Sequence, residues 1–97
     1  MVFEWDSAKN EANLDKHGIS FEEATAIFDG PTLTQAGDRR DYGEERDITL
    51  GMALPQAVLV VVPTGREEKI RLISARKANR RERRVYYDHF GQTEKRD

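Results

Sequence analysis

Apolar positions follow a helical rhythm up to Asp29 and an alternating one from Thr32 onward. Val2–Trp5 is a short β-prone run that stops at Asp6, a good N-cap for a helix through Asn10, Asn13 and Lys16. Lys16 and His17 fall in its last turn and Gly18 just past it. Cations there complement the carbonyl end of the helix dipole, and glycine takes the left-handed position after a helix without steric cost. Ser20-Phe21-Glu22-Glu23 spells a capping box, with Ile19 placed as its hydrophobic staple. The second helix buries Phe21, Ala24, Ile27 and Phe28, and Asp29-Gly30-Pro31 ends it.

From Thr32 the period is two. Thr32–Gln35 is a short strand, and Gly37–Glu45 a charged loop. Ile48, Leu50, Met52 and Leu54 alternate with Thr49, Gly51 and Ala53, the pattern of a half-buried strand. Pro55-Gln56 turns the chain into the β-branched run Ala57–Val62, which suits a central strand, and Pro63-Thr64-Gly65 is expected to turn it again. The next strand sets Ile70, Leu72 and Ser74 on one face, with Lys69, Arg71 and Ile73 on the other. A last helix from about Asn79 carries Glu82, Tyr86 and Phe90 on one stripe. The order β-α-α-β-β-β-β-α with hairpin connections predicts an α+β domain. Its antiparallel sheet has three to four strands, with two N-terminal helices and one C-terminal helix packed on it. Residues 1–91 make the domain and 92–97 a frayed tail.

Composition removes several classes. Ninety-seven residues allow one domain with a modest core. The absence of Cys excludes disulfides, thiolate chemistry and cysteine metal sites. Two histidines and scattered carboxylates form neither a DxD nor an HxxxH arrangement, so no metal or cofactor is expected. Glycine-rich phosphate loops and serine nucleophile elbows are missing too. No long apolar run and an acidic amino terminus predict neither a membrane span nor a signal peptide, hence a soluble, cytoplasmic protein.

Charge is strongly segregated behind a net of −2. Residues 66–84 hold nine Lys/Arg against three Glu, a net of +6, whereas residues 1–65 carry −7. Clustered Arg and Lys are the footprint of phosphate binding, although intrahelical Glu–Arg pairs on a solvated face give the same pattern. Three places carry candidate chemistry. A neutral imidazole beside an ammonium, as at Lys16-His17, suits acid–base work on a phosphodiester, but a helix end favours the same residues for capping reasons alone. Glu45 and Arg46 adjoin the Ile48 strand, where Glu45 could act as a base for a ribose hydroxyl and Arg46 as a phosphate ligand. Arg71 projects from the polar face of a strand, and Arg76 lies at the strand-to-helix junction, where free N–H groups also attract anions. Glu82 caps or locks the last helix, while Arg80, Arg81, Arg83 and Arg84 go round it and cannot all face one ligand.

Phe3-Glu4-Trp5-Asp6, Lys9, Asn13, Lys16-His17-Gly18, Phe21, Glu23-Ala24 and Phe28 resemble the amino-terminal signature of the BrnT toxin family. Glu45-Arg46, Gly51, Arg71-Leu72-Ile73-Ser74-Ala75-Arg76, Ala78, Glu82-Arg83 and Tyr86 resemble its carboxyl-terminal half, so the likeness runs over about residues 2–87. The resemblance implies a RelE-like ribonuclease toxin of a type II toxin–antitoxin pair. Such a toxin arrests growth by metal-independent RNA cleavage, is neutralised by a BrnA-like antitoxin, and joins it in a complex that binds operator DNA. On these residues the expected machinery is Arg71 and Arg76 for phosphorane charge, Lys16, His17 and Glu45 for proton transfer, and Arg46, Arg80 and Arg83 for RNA contacts. The rival is a non-catalytic interaction module binding an acidic partner or nucleic acid through its basic C-terminal region. A DNA-binding regulator is disfavoured because no helix-turn-helix spacing is visible.

Overall fold

Helix caps are set where the punctuation placed them. The computed structural model describes residues 2–36, 47–53, 57–66 and 69–91. After strand β1 (Val2–Glu4), the Asp6 carboxylate accepts the N–H of Lys9 at 3.1 Å and opens helix α1 (Ser7–His17). Gly18, at φ +73°, closes it by donating its N–H to the Leu14 carbonyl at 2.8 Å. The Ser20 hydroxyl accepts from Glu23 N–H at 3.0 Å and Glu23 accepts from Ser20 N–H at 3.1 Å, so the capping box is complete. Helix α2 then lasts only Phe21–Ala24 before tightening into a 3-10 turn over Thr25–Asp29. Of the expected apolar set, Phe21, Ala24 and Ile27 are fully buried and Phe28 is half-buried.

Among the described residues the sheet has five strands in the order β1-β5-β4-β3-β2. β2 is Thr32–Ala36, β3 Asp47–Ala53, β4 Ala57–Arg66 and β5 Lys69–Lys77, and helix α3 is Arg80–His89. This corrects the expected three to four antiparallel strands, because β1 joins β5 in parallel, Glu4 opposite Arg71. A three-residue run carries too little pattern to reveal such a partner. Phe3 against Phe28 (5.3 Å between ring centroids) and Trp5 edge-on to Phe21 (6.2 Å) tie this end of the chain to the helical layer.

Two further expectations change. Pro63-Thr64-Gly65 is not a turn, since β4 continues through it with Pro63 opposite Leu72. Proline is tolerated inside a sheet at a bulge, and the register here slips between Val62 and Pro63. β3 is not half-buried either: Ile48, Thr49, Leu50 and Ala53 are all buried. Both faces of the sheet are covered. α2 and the 3-10 turn pack on one with Leu59, Val61, Leu72 and Ala75, and α1 lies against β5. α3 packs on the other with Ile48, Leu50, Val58, Val60 and Val62, and the Tyr86 hydroxyl donates to the Pro31 carbonyl at 3.2 Å. The expected stripe of α3 holds, with the Tyr86 and Phe90 rings 4.8 Å apart. The loop expected at Gly37–Glu45, the Pro55-Gln56 turn and the tail from Gln92 lie outside the described residues. Among the described residues, no helix is long and apolar enough to cross a membrane.

At Gly51 the helical layer sits close against the sheet. A Cβ there would lie 2.5 Å from Ile27 Cβ, well inside contact distance. Overpacking a core costs about 1–3 kcal/mol, so Gly51→Ala should lower the melting temperature by roughly 5–20 °C. Calorimetry on the purified variant checks this, and an unchanged melting temperature would show the approach to be looser.

Candidate active site

The slip in register decides which side chains of β5 share a face. Strand residues alternate, so residues five apart, as Arg71 and Arg76 are, would normally point to opposite sides. Here Val62 pairs with Ser74 and Pro63 with Leu72, so Ile73 is the extra residue and parity reverses across it. Arg71, beside Glu4 and opposite Thr64, and Arg76, opposite Val60, thus both lie on the α3 side of the sheet. Ser74 moves there as well, away from the face expected for it with Ile70 and Leu72.

The two arginines still occupy different places. Four to five residues of strand separate them by about 13–16 Å. Arg71 turns towards β1, donating to the Glu4 carboxylate at 3.1 Å, while Lys69 lies 4.0 Å from the same group. Arg76 turns towards α3 and forms a two-pronged ion pair with Glu82, at 2.8 and 2.9 Å. Its Nη1 also donates to the Lys77 carbonyl at 3.3 Å. The Arg76 side chain remains 22% exposed and that of Glu82 14%, so the pair is neither sealed nor fully solvated.

Glu82 serves two ends at once. Asn79 and Glu82 form a capping box at the start of α3, with Asn79 N–H donating to Glu82 at 2.8 Å and Glu82 N–H to Asn79 at 2.8 Å. Burial alone would raise its carboxyl pKa. The hydrogen bonds from Arg76, the Asn79 N–H and the Arg76 charge outweigh that and hold it below the ordinary value. A carboxyl depressed by folding adds stability above its unfolded pKa of about 4.3, and that stability is lost as pH falls through the lower folded value. Glu82→Gln should therefore be less stable than wild type at pH 7 and lose less of its stability on acidification. Urea midpoints at several pH values read this out; parallel curves for the two proteins would contradict it.

The end of α1 approaches from the other side. Lys16 is exposed and His17 half-buried in the last helical turn. His17 is held below its ordinary pKa by burial, then by the charges of Lys16 and Arg76, so its ring is neutral at pH 7 and lies within electrostatic reach of Arg76. The capping role and the chemical candidacy of this tripeptide are thus compatible. Arg83 is half-buried and donates to the Ala78 carbonyl at 3.2 Å, next to the same junction. Arg80 is exposed and stands about 160° round the helix from Glu82, on the outer face with Arg84. Glu45 and Arg46 lie outside the described residues. Arg76, Glu82 and Arg83 are therefore gathered where β5 meets α3, with the charge of Arg76 reaching His17 at the end of α1, Arg71 farther along the same face and Arg80 turned away.

The family model of the ribonuclease toxin BrnT of type II toxin–antitoxin systems matches residues 5–82. The chain belongs to the BrnT family. Membership implies RNA as substrate and an antitoxin as partner. The fold is shared with the 1.1 Å crystal structure of the Brucella abortus ribonuclease toxin BrnT. That match has a TM-score of 0.58 at 20% identity and covers 82% of this chain and 100% of that one. A search of curated proteins gives no match.

Two participants escape sequence reasoning. Glu4 is a carboxylate in a short strand whose pairing was not expected. Asn13 is buried, and neither its place in the family signature nor its poor fit to a helix interior revealed the contact it makes. A mid-helix amide that neither caps nor faces solvent needs a partner elsewhere.

Proposed function

We propose that the chain is a RelE-like, metal-independent endoribonuclease whose cleavage site lies where the end of α1 meets the β5–α3 junction. What supports it most is that, in a chain of a ribonuclease-toxin family, the charges of both Lys16 and Arg76 act on a His17 whose pKa is held below its ordinary value. RNA carries its own nucleophile, so an enzyme need supply only a base, an acid and cations for the developing phosphorane. His17 takes the 2′-hydroxyl proton as O2′ bonds to phosphorus. Arg76 stabilises the charge on the non-bridging oxygens, and Lys16 protonates O5′ as the P–O5′ bond breaks. The products are a 2′,3′-cyclic phosphate and a 5′-hydroxyl. Glu45 stays an alternative proton carrier, Arg71 and Arg83 hold flanking phosphates, and Arg46 is a further RNA contact. Incubating the purified chain with RNA in EDTA tests the activity. Binding without cleavage would favour the interaction module instead.

Neutralisation follows from the same surface. Arg80, Arg81 and Arg84 are exposed on the outer side of α3, opposite buried Tyr86, and Lys77 is exposed at its approach. A BrnA-like antitoxin docks an acidic segment along this stripe and covers the neighbouring site, which blocks RNA without a conformational change in the toxin. Reversing the charge of Arg80 and Arg84 should slow association several-fold at low salt and flatten its salt dependence, because rim charges act mainly on the on-rate. Unaltered association rates would place the antitoxin elsewhere. Repression of the operon by the complex remains part of the proposal.

A further inference from the structure

We propose that Asn13 is a positioning residue that sets the spacing between His17 and Arg76. The inference rests on the assignment of those two residues to the cleavage site. β1 flanks β5 only over Lys69–Arg71, so past that point the edge of β5 needs another partner. Asn13 provides it. Its amide oxygen accepts the N–H of Ala75 at 3.2 Å and its amide nitrogen donates to the Ala75 carbonyl at 2.8 Å, the pair of bonds a neighbouring strand would make. The same nitrogen donates to the Ile19 carbonyl at 2.9 Å, just past the end of α1.

A primary amide holds a donor and an acceptor in one plane, which no carboxylate or hydroxyl reproduces. All three bonds are buried, and the residue is 8% exposed, so each is made in a low-dielectric setting where misplacement is costly. His17 follows Asn13 by four residues, on the same face of α1, and Arg76 directly follows Ala75. One side chain therefore locks the helical turn bearing the proton carrier to the strand residue before the phosphate-binding arginine. Lys16 and Arg76 are the charged groups that act on His17 there.

The test compares wild type, Asn13→Ala and Asn13→Ser with Ile27→Val, a core variant away from the site. Under conditions where circular dichroism shows all to be folded, both Asn13 variants should lose roughly tenfold or more in kcat with little change in KM. Ile27→Val should keep its kcat at a comparable loss of melting temperature. NMR titration of the His17 ring should move towards the ordinary histidine value in the Asn13 variants alone, as the ring loses burial and Arg76 recedes. The wild-type Ala75 amide should exchange slowly. Fast exchange at Ala75, an unmoved His17 titration, or a kcat loss no larger than that of Ile27→Val would each overturn the role. The titration readout needs no cleavage, so it decides the role even if the site assignment fails, and fast exchange at Ala75 in the wild type would overturn it even if neither variant folds. A His17→Gln chain that cleaves normally would remove the site assignment alone.

Discussion

Arg76→Gln should cut the kcat/KM for RNA cleavage by roughly 30- to 1,000-fold, the range expected when about 2–4 kcal/mol of transition-state charge stabilisation is lost. The guanidinium is the cation at the β5–α3 junction that pairs in a two-pronged way, the geometry that also fits two phosphate oxygens. Simple truncation would confuse two effects, since it leaves the Glu82 carboxylate half-buried without its partner. Glutamine keeps a hydrogen bond to Glu82 while removing the charge. The double variant with Glu82→Gln should fold like wild type and still be inactive. Rates and melting temperatures measured together separate the two causes, and a folded Arg76→Gln chain with normal rates would exclude Arg76 from the chemistry.

His17→Gln should slow cleavage by roughly 100-fold, the usual worth of a positioned proton carrier. The helix end itself should survive, because Gly18 supplies the closing geometry and glutamine is a good helix former. The pH profile is the sharper readout. Folding lowers the His17 pKa, so the wild-type rate should rise with pH through an inflection below the ordinary value of about 6.5, as the ring loses its proton and becomes a base. In the variant that limb should vanish. A retained inflection would assign the proton transfer to another group, with Glu45 the first to try.

Local punctuation carried most of the fold. Asp6, Gly18, the Ser20–Glu23 box and the Asn79 cap all act through neighbours in sequence, and each stands where the residue types put it. What failed was long-range or parity-dependent. The pairing of β1 with β5 joins residues at opposite ends of the chain, and nothing in three residues announces it. Pro63 reads as a breaker until a bulge opposite it removes the need for its N–H. That same bulge turns Arg71 and Arg76 to one face, which strict alternation would deny. For the site, Lys16, His17 and Arg76 were legible as residue types at element ends. Glu82 as the partner of Arg76, and Asn13 as a stand-in strand, depend on contacts across six and sixty-two positions.

The chemistry of the cut ends tests the central claim most directly. RNA digested by the wild-type chain in EDTA should yield fragments with 5′-hydroxyl and 2′,3′-cyclic phosphate termini, the signature of attack by the RNA's own 2′-hydroxyl. Fragments bearing 5′-phosphate and 3′-hydroxyl ends, or RNA left intact until a divalent metal is added, would contradict it.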